Sequence, residues 1–243
     1  MGSPIYKRVI LKISGEALKL KQSFINIEDA ELSISKQSFV SAKAAEFIAE
    51  EIKPVLGLGV QIGIVVGGGN VVRGCELEKQ GFSRDVADNM GMTATIINAQ
   101  ALQDVLERKY GIVTRVQSAV EIKRFVEPYI PRRALRHFEK NRVVILAGGT
   151  GNDYCTTDNA AVTRAYELRA DAVLKGTKVN GLYDKDPVYY KTAKLIPKIS
   201  YQEFLKAGFS GIIDNQAIGI IIDAKEKIPI HIFNIFTKGN FYR

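Results

Sequence analysis

The chain has 243 residues, of which 46% are hydrophobic and 25% are charged, values typical of a globular protein with a substantial core. Lys and Arg number 34 against 26 Asp and Glu, so the formal net charge of +8 favours anionic partners such as nucleotides. Two cysteines and two histidines argue against a disulfide framework and a His-rich metal centre. The start lacks the apolar core of a signal peptide, and no apolar run reaches the roughly 18 residues of a membrane span, so we expect a cytoplasmic protein.

The chain begins with a β-rich segment, residues 5–13, which runs into a turn at Ser14 and Gly15. Lys12 falls near the end of this strand. A lysine there is either solvated or reaches over the glycine turn to a phosphate, and the segment alone leaves both open. Residues 18–38 are polar and irregular and predict a loop or flap, whereas residues 39–56 have the apolar periodicity of a helix.

A second strand, residues 60–66, enters a turn of three successive glycines, Gly67, Gly68 and Gly69. Three glycines cost chain entropy unless the backbone must approach another group closely. Arg73 follows four residues later, and its fork of N–H donors suits an anion. We favour a phosphate-facing turn here, and the alternative is a flexible turn followed by a surface arginine.

Residues 85–109 have the pattern of a long helix rich in small and apolar residues. We expect its buried stripe to comprise Met90, Ala94, Ile97, Ala101, Leu102 and Val105. A helix this apolar is either central to the domain or packs against another subunit. Asp88, near its start, either complements the helix dipole or accepts hydrogen bonds from the hydroxyls of a sugar.

A third strand, residues 113–117, is followed by a segment that contains two prolines and a basic cluster. The cluster comprises Arg132, Arg133, Arg136, His137 and Lys140. We interpret it as the solvated face of a helix, with nucleic-acid binding as the alternative. The next strand, residues 143–147, is apolar throughout and predicts a buried position in a sheet.

The most informative stretch follows this fourth strand: residues 148–163, GGTGNDYCTTDNAAVT. Its glycines allow close backbone approach or positive φ, and Thr156, Thr157, Asp158 and Asn159 all suit a helix N-cap. The amides that open a helix favour anions. The stretch therefore predicts a phosphate site, although an ordinary strand-to-helix turn has a similar composition.

The remaining segments complete an alternating pattern. A fifth strand, residues 171–174, ends at Lys175, and a region rich in turn formers and aromatic residues then suggests a small hairpin. A helix over residues 214–227, with Asp214 as its N-cap, precedes a last strand at residues 229–234. Strands that alternate with helices predict a three-layer αβα sandwich around a mainly parallel sheet, with ligands at the carboxyl ends of the strands.

These strand ends supply the cations Lys12, Lys175 and Arg73, the carboxylates of Asp88 and Asp158, and many backbone amides. The sequence contains no Walker A motif, kinase catalytic loop or dinucleotide fingerprint, and both histidines lie away from the glycine turns. Cations and amides with few acid–base groups suit phosphoryl transfer. An acceptor that is itself a phosphate is ionised at about pH 7 and needs no general base.

The chain resembles the bacterial-type UMP kinases (uridylate kinases) of the amino-acid kinase superfamily in six motifs, which occur in the expected order and cover most of its length. The motifs are YKRVILKISGEAL, GIVVGGGNVVRG, DNMGMTATIINAQAL, AGGTGNDYCTTDNAA, LKGTKVNGLYDKDP and PIHIFN. The resemblance implies an amino-acid kinase-like fold in a single domain, residues 1–243. Its acceptor-binding part would extend to about residue 170 and its ATP-binding part from about 171 to 243. It also implies transfer of the ATP γ-phosphoryl group to UMP in pyrimidine nucleotide biosynthesis.

The resemblance assigns roles to individual residues. Lys12 and Lys175 would stabilise the transferring phosphoryl group, Asp158 would orient the two lysines, and Asp214 would assist. The residues implied to bind ATP are Lys12, Ile13, Ser14, Gly15, Gly69, Arg73, Thr177, Tyr183 and Asp186. The residues implied to bind UMP are Gly68, Asp88, Thr150, Gly151, Asn152, Asp153, Tyr154, Cys155, Thr156 and Thr157. Mg²⁺ is expected to be bound mainly through the phosphates of ATP, with no protein ligand named.

Relatives are commonly homohexamers that dimerise through the long helix, and the resemblance implies the same assembly here. It also implies inhibition by UTP, which resembles the acceptor. Many relatives are activated by GTP through basic residues on the long helix and its partners. Here the long helix carries Gln103 and Glu107, so activation by GTP is not expected. Two other departures are a long connection at residues 18–38 and an end at residues 241–243, where relatives usually continue into a further short strand.

Three other functions compete with this interpretation. An amino-acid kinase that acts on a carboxylate would carry an acceptor loop different from TGNDYCTTDN. A metal-oxide storage protein of the same fold would bind ATP without a productive acceptor site, against which the lysines and the acceptor loop argue. Nucleic-acid binding rests only on the +8 charge and the basic cluster, so nucleic acid is not expected as a partner. A membrane is not expected either, because no apolar run is long enough to span one.

Overall fold

The structure, a computed structural model, describes residues 4–19, 38–209 and 211–242, so most of the flap predicted at residues 18–38 lies outside the described residues. The strands of the main sheet are β1 (Arg8–Ile13), β2 (Gln61–Val66), β3 (Thr114–Ser118), β4 (Glu127–Pro128), β5 (Val143–Ala147), β6 (Ala172–Thr177) and β9 (Ile230–Asn234). The strand pair β7 (Leu182–Tyr183) and β8 (Leu195–Ile196) forms a separate antiparallel hairpin, in the region where a hairpin was predicted.

The helices fill the connections between the strands. They are α1 (Ala42–Gly57), α2 (Gly74–Lys79), α3 (Arg84–Asp104), α4 (Pro131–Glu139), α5 (Thr157–Glu167), α6 (Tyr201–Lys206) and α7 (Asn215–Asp223). A 3₁₀ turn at Gly15–Leu18 follows β1, and a π-helical turn at Val105–Lys109 extends α3. None of the helices in these described segments combines the length and the apolar character that a bilayer crossing requires.

Strand alternation divides the core between two layers of helices. Leu11 and Ile13 of β1 belong to the core that contains residues of α1 and α3, such as Ile48 and Ile96. Ile10, between them in sequence, belongs to the opposite core, with residues of α5 and α7. Successive side chains of a strand point to opposite faces, so Lys12 lies on the same face as Ile10. The predicted three-layer αβα fold is confirmed.

All seven strands of the main sheet are parallel, in the order β4-β3-β5-β2-β1-β6-β9. β1 therefore lies at the centre, between β2 and β6. Lys12 pairs with Val65 of β2 on one side and with Lys175 of β6 on the other. Because parallel strands end at one edge of a sheet, the turns after β1, β2, β5 and β6 meet there.

Two expectations about burial are wrong. Met90 and Ile97 of α3 are 39% and 47% exposed, whereas Ala94, Leu102 and Val105 are buried as predicted. The helix carries apolar residues on two faces, and hydrophobicity alone does not show which face packs on the sheet. His137 is not on a solvated face: it is 8% exposed, and its Nε2 lies 2.9 Å from Oε2 of Glu127 in β4.

Candidate active site

Two lysines and one aspartate form a buried charge cluster at the carboxyl edge of the sheet. Lys12 Nζ lies 2.8 Å from Asp158 Oδ1, and Lys175 Nζ donates a hydrogen bond to Asp158 Oδ2. The side chains of all three are about nine-tenths buried. The strand register brings the lysines together, and the first turn of α5 supplies the carboxylate between them.

This arrangement shifts two pKa values. Burial alone raises the pKa of the Asp158 carboxyl, but the charges of Lys12 and Lys175 outweigh burial, and its pKa lies below the ordinary value. Burial, together with repulsion from Lys12, lowers the pKa of Lys175 to about 8, against the attraction of Asp158. The cluster therefore holds an ionised carboxylate beside a lysine that loses its proton more readily than an exposed one.

Two helix N-termini point toward this cluster. Of the four candidate N-caps of α5, Thr156 is the one used: its side chain accepts hydrogen bonds from the amides of Asp158 and Asn159 at 3.2 and 3.4 Å. Asp214 is the N-cap of α7, as predicted, and accepts from the Gln216 amide at 2.9 Å. The backbone amide of Asp214 donates to Asp158 Oδ2 at 3.2 Å, so Asp214 touches the cluster through its backbone.

The glycine turn after β2 is fixed to α3 by a reciprocal amide pair. Asn70 Nδ2 donates to Asn98 Oδ1 at 2.9 Å, and Asn98 Nδ2 donates to Asn70 Oδ1 at 2.7 Å. Asn98 Nδ2 also donates to the Gly67 carbonyl at 2.7 Å. Gly15 packs against this turn so closely that a Cβ built on it would lie 2.1 Å from Asn70 Oδ1. The first and second strand-end turns are therefore in direct contact.

A cleft of about 390 Å³ lies between this glycine turn, α2, α3 and the loop after β5. Its lining includes the predicted site residues Gly68, Gly69, Arg73, Asp88, Asn152, Cys155, Thr156 and Thr157. Arg73 Nη2 lies 2.9 Å from Glu16 Oε1, which ties the cleft to the turn after β1. Thr157 directly precedes Asp158, so the charge cluster adjoins this cleft.

Asp88 holds the loop after β5 against α3. Its Oδ2 accepts hydrogen bonds from Arg84 Nε and from the Tyr154 amide, both at 2.7 Å. Tyr154 has a positive φ of 61°, unusual outside glycine, and its ring lies 4.9 Å from the Arg84 guanidinium carbon. The remaining predicted loop residues surround this anchor: Gly151 has a φ of 85°, Asp153 is half-buried, and Thr150 lines a second cavity behind the loop.

Arg164 of α5 supports the same loop from behind. It is only 6% exposed, and its Nη2 donates to the Gly149 carbonyl at 3.2 Å. Its Nη1 donates to Glu167 Oε2 at 2.8 Å, and its guanidinium carbon lies 3.9 Å from the centre of the Tyr129 ring. Because the peptide unit is planar and trans, a Gly149 carbonyl turned toward Arg164 directs the Thr150 amide away from it.

The residues assigned to ATP divide between two regions. Ile13 and Ser14 follow Lys12 at the end of β1, and Gly69 and Arg73 line the cleft described above. Thr177, Tyr183 and Asp186 lie in β6, in β7 and in the turn after β7. Thr177 Oγ1 donates to the Val179 carbonyl at 2.8 Å, and Asp186 Oδ1 accepts from the Val188 amide at 2.8 Å.

Several residues that shape the site carry no signal in the sequence. Asn98 and Thr95 lie in the middle of a helix, yet Asn98 secures Gly67, and Thr95 Oγ1 accepts from the Gly148 amide at 2.7 Å. Nothing in the sequence distinguishes Glu16 and Arg164 from charged surface residues, although each binds a residue at the cleft. Only the fold brings these partners together, because each contact joins residues far apart in the chain.

Comparisons with known proteins agree with this architecture. A model of the amino acid kinase family matches residues 7–234. The crystal structure of UMP kinase from Bacillus anthracis is 35% identical, with a TM-score of 0.84, over 96% of this chain and 89% of that chain. UMP kinase from Ureaplasma parvum is 31% identical, with a TM-score of 0.82, over 95% and 91% of the two chains. The chain therefore belongs to the amino acid kinase family.

Proposed function

We propose that this protein is a UMP kinase, which transfers the γ-phosphoryl group of ATP to UMP and releases ADP and UDP. The observation that carries the proposal is the buried cluster of Lys12, Asp158 and Lys175 beside the cleft at the carboxyl edge of the sheet. Similarity to two UMP kinases over nearly the whole chain supports the choice of acceptor.

Lys12 and Lys175 stabilise the negative charge on the phosphoryl group as it moves between the substrates. Phosphoryl transfer depends mainly on positioning and charge stabilisation, which two lysines and the amides of two helix N-termini supply. Asp158 binds both lysines and orients them, and Asp214 assists through its amide and through the cap of α7. The acceptor phosphate is already ionised, so no residue is assigned as general base.

The acceptor occupies the cleft of about 390 Å³. We assign the ribose hydroxyls of UMP to Asp88, whose Oδ2 already holds Arg84 and Tyr154 and whose Oδ1 is left for the sugar. Gly68 and the loop of residues 150–157 surround the base and phosphate. Gly69 and Arg73 line the same cleft, and we assign them to the point where the phosphates of the two substrates meet.

The donor occupies the other side of the charge cluster, in the part of the chain after about residue 171. We assign the phosphates of ATP to the end of β1 and the turn after it, that is to Lys12, Ile13, Ser14 and Gly15. We assign adenine and its ribose to Thr177, Tyr183 and Asp186. Mg²⁺ would enter with ATP, held chiefly by its phosphate oxygens. The chemistry of the cluster fits this assignment, because both oxygens of Asp158 already face ammonium groups.

The exposed face of α3 supports a homo-oligomer. Val86, Met90 and Ile97 are 41%, 39% and 47% exposed and recur at helical spacing, with Phe82 (46% exposed) just before the helix. Such a stripe suits a self-complementary contact with a second copy, and we assign it to the dimer contact of a hexamer. We further propose a cytoplasmic location, inhibition by UTP and no activation by GTP.

A coupled assay of ADP release tests the function. Purified protein is given Mg-ATP with UMP, CMP, dCMP, aspartate or glutamate as the acceptor. Rapid turnover confined to UMP is the expected result. Turnover with aspartate or glutamate would make the protein an amino-acid kinase, and ATP binding without turnover on any acceptor would favour a storage or binding protein of the same fold.

A further inference from the structure

The two cysteines of the sequence, Cys75 and Cys155, are both exposed and both line the cleft assigned to the acceptor. One belongs to the first turn of α2 and the other immediately precedes the N-cap of α5. They are distant in the chain, and the proposed transfer uses neither thiol. Two nucleophilic side chains thus lie on the walls of one small cleft, and neither thiol group has an assigned chemical role.

A single carboxylate relates the two positions. A Cβ built on Gly74 would lie 3.5 Å from Asp88 Oδ1, and the Tyr154 amide donates to Asp88 Oδ2 at 2.7 Å. Each of these contacts is made by the residue just before a cysteine. Asp88 therefore marks the point where α2 and the loop after β5 approach one another, and the two thiols face the cleft from these two sides.

The surroundings favour an anionic thiol reagent. The Arg73 side chain lines the same cleft, and the whole chain carries a formal charge of +8. A net positive charge attracts anions, and the thiolate is the form of a cysteine that attacks a disulfide. An anionic disulfide such as oxidised glutathione matches this field.

We propose that Cys75 and Cys155 form a covalent modification site for small anionic disulfides, and that an adduct at either thiol closes the cleft to the acceptor. The cysteine thiolate attacks one sulfur of the disulfide, a new S–S bond forms, and the original S–S bond breaks. The departing thiolate takes up a proton, which balances the proton that the cysteine lost. The disulfide is itself the oxidant, and a reducing thiol reverses the step.

The consequence for the acceptor rests on the proposed function, whereas formation of the adduct does not. The full-length protein is treated with oxidised glutathione, with and without UMP, and the adducts are located by mass spectrometry. We expect adducts on both cysteines. UMP at about ten times its dissociation constant should slow them about tenfold, because a filled site is open only about a tenth of the time.

Binding measurements complete the test. The modified protein should lose UMP binding, keep ATP binding, and recover when dithiothreitol removes the adduct. Cys75→Ser and Cys155→Ser, each compared with its own untreated sample, should each retain sensitivity through the remaining thiol, and the double variant should lose it. Equal labelling rates with and without UMP, or unchanged UMP binding after labelling, would overturn the proposal. An untreated protein that neither binds nor phosphorylates UMP would instead refute the proposed function, since labelling is measured independently.

Discussion

Lys12 and Lys175 occupy the same register position on adjacent parallel strands, so the central pairing of the sheet places two like charges side by side. Both are more than nine-tenths buried. Asp158, from the helix that follows β5, is the carboxylate that compensates them. The unit therefore carries a net positive charge at the point where we expect phosphate oxygens to meet.

Replacement of Asp158 should affect turnover far more than binding. In Asp158→Asn the two lysines lose their common anion and its orienting contacts. By analogy with the loss of one oxyanion-hole donor, we expect kcat to fall by about 10²- to 10³-fold. The dissociation constant for ATP should change little, because phosphate contacts to the lysines remain. Steady-state kinetics and calorimetry measure the two quantities separately, and wild-type turnover would refute the orienting role.

The fall in kcat/KM at alkaline pH should reflect the loss of the Lys175 proton. Only its protonated form carries the charge that transfer requires, and burial lowers its pKa to about 8. In the free enzyme, kcat/KM should therefore fall as the pH rises through about 8. Arginine keeps its proton at alkaline pH, so in Lys175→Arg the fall should move to higher pH whatever the absolute rate. If the profile of Lys175→Arg falls at the same pH as that of the wild type, the titration belongs to another group.

Asp88 should control the affinity for the acceptor. Asp88→Ala removes the proposed partner of the ribose hydroxyls and releases the Tyr154 amide. Hydrogen bonds to charged groups are worth about 1.5–3 kcal/mol, so we expect the KM for UMP to rise at least about tenfold. Asp88→Asn keeps one acceptor oxygen and should show a smaller rise. An effect confined to the KM for ATP would contradict the assignment.

Arg164 is predicted to position the acceptor loop without touching a substrate. Lysine cannot bond Glu167 and Gly149 and stack on Tyr129 at the same time, because it lacks a planar fork. Arg164→Lys should therefore raise the KM for UMP roughly tenfold and leave ATP binding unchanged. Arg132→Ala, on the exposed face of α4, is the matched control. A uniform loss of stability without this selective change in KM would leave Arg164 a purely structural residue.

Gly15 and Gly57 provide a matched pair for stability. A Cβ on Gly15 meets Asn70 Oδ1, whereas a Cβ on Gly57 meets no atom within 4 Å. Gly15→Ala should therefore lower the free energy of unfolding by about 1–3 kcal/mol, as overpacked sites do. Gly57→Ala, at the end of α1, should be neutral or slightly stabilising. Thermal unfolding of the two variants measures the difference. Equal melting temperatures would show that the turn around Asn70 moves to admit the methyl group without a loss of stability.

Much of the fold follows from local patterns. Strands β1, β2 and β5 are short apolar runs that lead into glycine-containing turns, so their positions can be predicted within a few residues. The six-residue helices α2 and α6 and the two-residue strand β4 are too short to show a period. The predicted burial of Met90 and Ile97 on α3 is wrong, because an exposed apolar face has the same periodicity as a core face in a single sequence.

The candidate site was less accessible to sequence reasoning than the fold. Residue types at strand ends indicated a phosphate site, but the link between Asp158 and both lysines came only from the family resemblance. The Asn70–Asn98 pair could not be predicted, because neither residue has a pattern that identifies the other. Such contacts depend on the sheet order, which brings together segments that periodicity treats separately.

The central position of β1 has a consequence for folding during synthesis. β1 can pair with β2 only once residue 66 has been made, and its other edge stays open until β6 has been made. Until then the nascent chain presents an unpaired strand edge, with Lys12 on β1 still without Lys175 beside it, a state prone to association with other chains. The charged cluster is thus completed late in synthesis, and a chain that stops before residue 172 lacks Lys175, one of the two lysines that Asp158 binds.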